Sequence, residues 1–409
     1  MKKSQDSFAA LKFAPFRFFI LFKICTTIAV QTQSTLIGWQ MYSLTKDPLS
    51  LGLIGLVEII PNLLVILFAG MLADRINRKS ILLVCVLILA SNSFFLSQYN
   101  SNISHYYLYL NVALTGLSRG LISPAASALM ADTVPERLYA NSSTWNSTLW
   151  QLAAVLGSGS AGFLLNALGF AHSYLFCFGF FFLSMLFILL IPYTFKKIHH
   201  HHLPIFKGIK EGIEFVFKDQ RFLGSFTLDL FAVLFGGATI LLPVFASEVL
   251  FLDAKALGIL RAAPFFGALL MAFFLTRYPI LERPGKILLI SVFCFGLSMI
   301  GFALSTNFFL SLFFLFASGA FDNISVVTRT TIVQMLTPHH LRGRVASVNS
   351  IFISSSNELG ALESGIAAKY LGTVPSVVFG GMLTLLVVFI ISFKFPKLKN
   401  LDLTKHLSP

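Results

Sequence analysis

The chain has 409 residues, 56% of them hydrophobic and only 11% charged, with Phe alone at 45 positions. A water-soluble domain carries about 25% charged residues, and here the apolar residues gather into runs of about 20, enough to cross roughly 30 Å of hydrocarbon at 1.5 Å per residue. A soluble enzyme is excluded, and the net charge of +13 gives no nucleic-acid footprint, because the basic residues are spread among loops rather than gathered on one face or segment.

In chain order, the runs between polar breaks predict twelve spans: 18–42, 51–73, 80–97, 105–131, 142–168, 173–192, 222–247, 256–276, 285–305, 308–336, 345–369 and 374–393. Each is expected to be a helix, since lipid offers the backbone no outside hydrogen-bond partner. Cys25, Cys85, Cys177 and Cys294 all fall inside these runs without metal-ligand spacing and read as reduced packing residues. Counting Lys286 and Lys369 at the edges of their spans with the adjoining loops, twenty-three of the 30 Lys and Arg lie at the N-terminus, in even-numbered loops or at the C-terminus, and the odd-numbered loops hold only Lys46, Lys255 and Lys369. The positive-inside rule then predicts a multi-pass protein of the inner or plasma membrane with both termini cytoplasmic. The first run is too long for a signal peptide and lacks a small-residue cleavage site, so it reads as an uncleaved helix.

The long hydrophilic stretch falls at 193–221. It contains Lys196, Lys197 and four His at 199–202, read as a solvated linker rather than a metal site, followed by Ile205, Ile209, Ile213 and Val216 at helical spacing with Lys207, Lys210 and Glu214 between them. That pattern predicts an amphipathic helix lying on the cytoplasmic membrane face. Domain boundaries follow: a first bundle at 1–192, the linker at 193–221 and a second bundle at 222–409.

The halves repeat. At an offset of 203, Pro135 falls on Pro338, Leu138 on Leu341, Asn146-Ser147 on Asn349-Ser350, Gly157 on Gly360 and Gly162 on Gly365; at 204, Arg17-Phe18 falls on Arg221-Phe222. The physical reading is two pseudo-symmetric six-helix bundles around a central cavity, an arrangement whose substrate sites lie near the midplane. Small residues in those pairs let helices approach closely.

Nine ionisable residues remain inside the spans: Lys23, Arg119, Arg261 and Arg329 against Glu58, Asp229, Asp322, Glu358 and Glu363. Each costs at least about 2.5–3.5 kcal/mol at a helix centre on insertion scales, so each should face a cavity or a partner. Counting along the spans puts Arg119, Asp322 and Glu358 near the middle, Glu58, Arg261 and Glu363 toward the periplasm, and Lys23, Asp229 and Arg329 toward the cytoplasm. This layering predicts a periplasmic gate of Glu58 with Arg261 and a cytoplasmic gate of Asp229 with Lys23 or Arg329. Asp322 and Arg119 form the central substrate and coupling layer, with Gln31, Gln33 and Asn323 as hydrogen-bonding neighbours. Glu358 and Glu363 are five residues apart, about 140° around a helix, so only one is expected to meet the cavity. One carboxylate is left over after pairing, and Glu358 or Asp322 is the expected proton carrier.

Gly70-Met-Leu-Ala-Asp74-Arg75-Ile-Asn77-Arg78-Lys79 resembles the signature Gly-x-x-x-Asp-Arg-x-Gly-Arg-Lys/Arg of the major facilitator superfamily, in the loop between the second and third spans where that family carries it. Asn77 stands where Gly is usual, a departure eased by the tolerance of Asn for left-handed backbone. The Pro-x-x-Leu loops and the stretch Ser356-Asn-Glu-Leu-Gly-Ala-Leu-Glu-Ser364-Gly resemble the bacterial branch that includes the enterobactin exporter. The resemblance implies an all-α membrane protein of the major facilitator fold, with twelve transmembrane helices in two six-helix bundles. It implies that Asp74 sits against the start of the eleventh span and steadies the outward-open state, while Asp132 pairs with Arg75 or Arg78. Gly157-Ser-Gly-Ser-Ala-Gly162 looks like a degraded form of a Gly-Pro-rich motif common in exporters, with Ser158 at the Pro position.

The function expected is therefore transport rather than catalysis: export of a small organic molecule, siderophore-like or amphipathic and drug-like, by alternating access and proton antiport. Uptake of a nutrient or lipid, or a non-transporting membrane sensor on the same fold, are the alternatives. No cofactor is expected beyond the proton gradient, since no Gly-x-x-x-x-Gly-Lys-Ser/Thr loop occurs. The expected partners are the small-molecule substrate and the lipid bilayer, and the expected state is a monomer.

Overall fold

The structure, a computed structural model, describes residues 7–99, 104–192, 205–278, 280, 282–338 and 341–403. Every regular element among these residues is helical: α1 Ala14–Thr45, α2 Pro48–Arg75, α3 Arg78–Ser97, α4 Tyr106–Asp132, α5 Tyr139–Leu190, α6 Ile205–Lys218, α7 Gln220–Gly236, the turn α8 Leu242–Val244, α9 Ala254–Arg277, α10 Pro284–Leu304, α11 Phe308–Leu336, α12 Arg342–Leu371, α13 Thr373–Lys394 and the short α14 Pro396–Lys399. Nine helices among the described residues are long and apolar enough to cross a membrane. Large apolar side chains such as Phe273, Phe309 and Phe393 stand exposed on the outer faces. In water this would be a liability; a hydrocarbon solvent removes it.

Two places define how the expected spans are realised. The fifth and sixth runs, given together as α5, are two helices that meet at a kink at Gly169, whose φ of +71° is a conformation that glycine adopts without a Cβ clash. The seventh run is interrupted at Gly236-Gly237 and continues as short 3-10, α and π turns from Ala238 to Val249. Elsewhere, helix starts are set by side-chain caps. Asn77 accepts the Lys79 N–H at 2.9 Å, Asp219 the Arg221 N–H at 2.8 Å, and Asn307 the N–H groups of Phe309 and Leu310. Asn77 has φ −56° and caps α3, so its backbone makes no use of the left-handed conformation that Asn tolerates.

The chain divides into two compact units. The first comprises Met1–Leu44, Val57–His200 and Ala254–Ala262, and the second Thr45–Leu56, His201–Asp253 and Ala263–Pro409. Polar bonds tie α1 into the first unit: Gln40 Oε1 accepts from Tyr174 Oη at 2.6 Å, Thr26 and Ser184 share a 2.7 Å bond, and Thr32 donates to the Gly157 carbonyl at 2.9 Å. Within lipid such bonds replace those water would make. The N-terminal strap is held where Trp145 Nε1 donates to the Ser7 carbonyl and Phe8 packs on the indole. In the second unit, Leu228, Val292, Ile391 and Leu398 belong to one core shared by α7, α10, α13 and α14. There α9 and α11 touch backbone to backbone: a Cβ on Gly319 would lie 1.9 Å from the Pro264 carbonyl oxygen.

The linker stretch 193–204, with Lys196, Lys197 and the His run, lies outside the described residues. The predicted helix is present as α6, with the side chains of 205–210 also outside the description. Its buried face is Gly212 and Val216, packed against the first turns of α12, while Ile213 is 40% exposed. The periodicity puts Ile213 with Val216 on one face, but four residues of helix separate Gly212 from Val216, so these two share the stripe that α12 covers while Ile213 stays outside it.

Candidate functional site

The intramembrane charges fall into separate clusters, one built in each unit. In the first, Arg119 Nη1 on α4 forms an ion pair with Glu58 Oε1 on α2. The helices are in backbone contact on either side of the pair, since a Cβ on Gly116 would lie 2.1 Å from the Glu58 carbonyl oxygen and one on Gly120 would lie 2.9 Å from that of Asn62. The Arg119 side chain is 48% exposed, against 14% for Glu58. Lys23 on α1, partly buried, is within electrostatic reach of Arg119. The expected partnership of Glu58 with Arg261 is thereby corrected. Glu58 reaches across to α4, and Arg261 Nη2 donates instead to Ser34 Oγ at 2.8 Å. Depth counting along isolated spans missed this because a long Arg side chain spans more than a turn and the small residues of α4 bring α2 close.

Gln33 is corrected as well. It is buried, with its Oε1 accepting from Ser93 Oγ of α3, so it braces the first unit rather than offering itself to a ligand. Gln31, partly buried, lies beside Gly157 of α5, and its carbonyl accepts from Thr35 Oγ1 at 2.8 Å.

In the second unit Arg329 of α11 pairs with Asp229 of α7, and both side chains are withdrawn, 2% and 7% exposed. Of the two partners left open for Asp229, the structure selects Arg329. Asp322 lies two turns away on the same face of α11. It is partly buried and makes no ion pair or hydrogen bond among the described residues. Its neighbour Asn323 is buried with an Oδ1 that finds no partner. On α12, Glu363 is partly buried and likewise without a partner among the described residues, while Glu358 lies where its carbonyl meets Gly55. Asp322 and Glu363 are thus set apart from the paired charges.

The loop motif is partly visible. Gly70, Asp74 and Arg75 lie on the last turns of α2, and their side-chain surroundings are outside the described part of the structure. Arg78 Nη1 bonds Asp132 Oδ2 at 2.5 Å and the Ala128 carbonyl at 3.3 Å. Lys79 Nζ donates to the carbonyls of Leu189 at 2.7 Å and Ile191 at 2.9 Å, the unsatisfied acceptors at the end of α5. The motif therefore staples the start of α3 to the ends of α4 and α5, with the Lys79 cation on the negative pole of α5. Reasoning from sequence also missed the pair Arg344 with Glu211, which fixes α6 to α12; neither residue carries a pattern that names its partner.

A family model described as Major Facilitator Superfamily matches residues 19–361. The quinolone resistance protein NorA of Staphylococcus aureus (strain MRSA252) is 31% identical over 115 residues, so the match spans 28% of this chain and only 29% of that relative's length. Similar solved folds include a POT family transporter in complex with 5-aminolevulinic acid (TM-score 0.73, 13% identity, covering 94% of this chain and 96% of that one). The nucleoside transporter NupG (TM-score 0.72, 15% identity, 93% and 100% covered) is another. A third is a bacterial homolog of the human lysosomal transporter Spinster (TM-score 0.66, 17% identity, 97% and 99% covered).

Proposed function

We propose, from the Major Facilitator Superfamily to which this chain belongs, that it is a proton-driven exporter of a small amphipathic molecule. The membrane fold and the family make it a transporter; export, antiport and cargo are our reading. The observation that carries the proton coupling is Asp322, a carboxylate inside a membrane helix with no partner among the described residues, beside the unsatisfied amide oxygen of Asn323. A carboxylate tied into a permanent ion pair cannot alternate between charged and neutral, whereas one whose surroundings change during alternating access can. Glu363 is the second such group; the ion pairs of Glu58 and Asp229 make them structural or gating residues in this reading.

The proposed topology is twelve crossings, with α5 counted as two at Gly169, in two six-helix bundles joined by the 193–221 linker. The protein sits as a monomer in a bacterial inner membrane with both termini cytoplasmic, and its energy comes from the proton gradient without a bound cofactor. Of the two cargo classes the family resemblance implies, the drug-like amphiphile ranks first, supported by the partial similarity to a quinolone resistance protein; the siderophore-like cargo rests on the resemblance to the enterobactin-exporter branch alone.

The test is accumulation of a fluorescent amphiphilic dye in an efflux-deficient bacterial host with and without the full chain. Lower cell-associated dye that rises again when a protonophore collapses the gradient supports export. Higher accumulation with the chain means uptake, and dye binding by purified protein without flux in proteoliposomes means a sensor.

A further inference from the structure

In the second unit an open cleft of about 1020 Å³ lies where the end of α6, the start of α7 and α14 come together. Lys218, Arg221 and Lys397 stand on its walls, with two carboxylates, Asp219 and Asp402. Asp219 is already committed: it caps α7 and takes the Arg221 side chain through Nε at 3.0 Å and Nη2 at 2.5 Å. Arg221 Nη1 and the exposed Lys218 and Lys397 make no hydrogen bond or ion pair among the described residues. The cleft therefore presents donors whose charge its own carboxylates do not use up.

Its depth is set by the spans beside it. The membrane-spanning segments α7 and α13 begin at Gln220 and end at Lys394, so residues just outside those ends leave the hydrocarbon and reach the headgroup region. Phe217, next to Lys218, and Phe393, on the last turn of α13, are both exposed, and Lys399 Nζ stands 5.9 Å from the Phe393 ring. Aromatic rings beside long basic side chains mark the boundary between lipid tails and headgroups. A general excess of Lys and Arg on one side of a membrane needs no cavity; here three of the cations share the walls of one.

We propose that this cleft seats the phosphate headgroup of an acidic phospholipid, held by Lys218, Arg221 and Lys397, while the acyl chains stay in the bilayer beside Phe217 and Phe393. Basic pockets at the ends of membrane helices take such headgroups because the phosphate gains both a positive field and directed N–H donors. Asp219 is the positioning residue: it holds one edge of the guanidinium fork and leaves the remaining donors for phosphate oxygens. The proposal is independent of the direction and cargo of transport.

The experiment is native mass spectrometry of the full chain in detergent micelles, titrated with phosphatidylglycerol, with phosphatidylcholine of the same acyl chains, and with inorganic phosphate. The parent chain should retain phosphatidylglycerol in preference to phosphatidylcholine. Lys218→Gln and Lys397→Gln should each cut that preference about fivefold, the worth of one basic residue at an anionic lipid surface. Both side chains are exposed, so the variants should keep the parent's helical circular dichroism. The control pair Arg17→Gln/Arg137→Gln removes two exposed cations from the first unit and should leave the preference unchanged. Absence of a preference in the parent, or its survival in Lys218→Gln/Lys397→Gln, overturns the proposal. An equal loss in the control pair also overturns it, because diffuse surface charge then accounts for the binding. Displacement of phosphatidylglycerol by millimolar inorganic phosphate makes the cleft a site for soluble phosphate and overturns the lipid assignment.

Discussion

Removing the charge of Asp229 should unfold the second unit more readily than any other single polar change in it. Arg329 is the largest fully buried side chain of the described residues, and its Nε already lacks a hydrogen-bond partner, so the contact of Nη1 with Asp229 carries its compensation. Breaking a buried ion pair from one side costs about 3–5 kcal/mol, because the surviving charge has lost its counter-ion without regaining water. In Asp229→Asn the amide oxygen still accepts a hydrogen bond, worth about 1 kcal/mol, which places the expected loss near 3 kcal/mol rather than 5. The paired variant Asp229→Leu/Arg329→Met removes both charges and should sit within about 1 kcal/mol of the parent or above it. Reversible unfolding by sodium dodecyl sulfate in mixed micelles, followed by helical circular dichroism, measures all the forms. An Asp229→Asn loss below about 1 kcal/mol, or a paired variant less stable than the single one, would refute the reasoning.

Four further outcomes are expected. Gly116→Ala should destabilise by about 1–3 kcal/mol through overpacking against the Glu58 carbonyl, whereas Gly179→Ala, with nothing within 4 Å of the added methyl, should be neutral or gain about 0.5–1 kcal/mol; equal thermal stability of the two variants contradicts the close approach. Burial works against the charge of Asp219, but hydrogen bonds from the Arg221 side chain and backbone, with the charges of Arg221 and Lys397, hold its carboxyl below the usual carboxylate range. Because the folded value is the lower one, its contribution is complete above about pH 4 and fades as pH falls through that lower value. Asp219→Ala should therefore cost about 1 kcal/mol near neutrality and less in acid, and a penalty that grows on acidification would be the wrong sign. Asp322→Asn, Glu358→Gln and Glu363→Gln test the coupling assignment in proteoliposomes: at least one should abolish flux driven by a pH gradient, and retention by all three removes the carrier. Asp74→Asn should shift the population toward inward-open, read as altered labelling of cysteines engineered at the two mouths; unchanged labelling counts against the motif's conformational role.

The membrane class, the helical segments and the loop motif were legible in the sequence because each rests on one-dimensional quantities. Run length against bilayer thickness, the absence of outside partners for the backbone, and a fixed spacing of charged residues need no knowledge of neighbours. The same reasoning named the nine charged residues worth attention, since any charge in hydrocarbon is costly wherever it points. Pairing was a different matter. That Glu58 meets Arg119, that Gln33 turns inward to Ser93, and that α6 covers α12 with Gly212 and Val216 were decided by which helices the small residues allow into backbone contact. Those contacts join positions 60 or more residues apart in sequence. A periodicity read along one helix gives the direction of a side chain but not what stands opposite it, and that information exists only once the helices have packed.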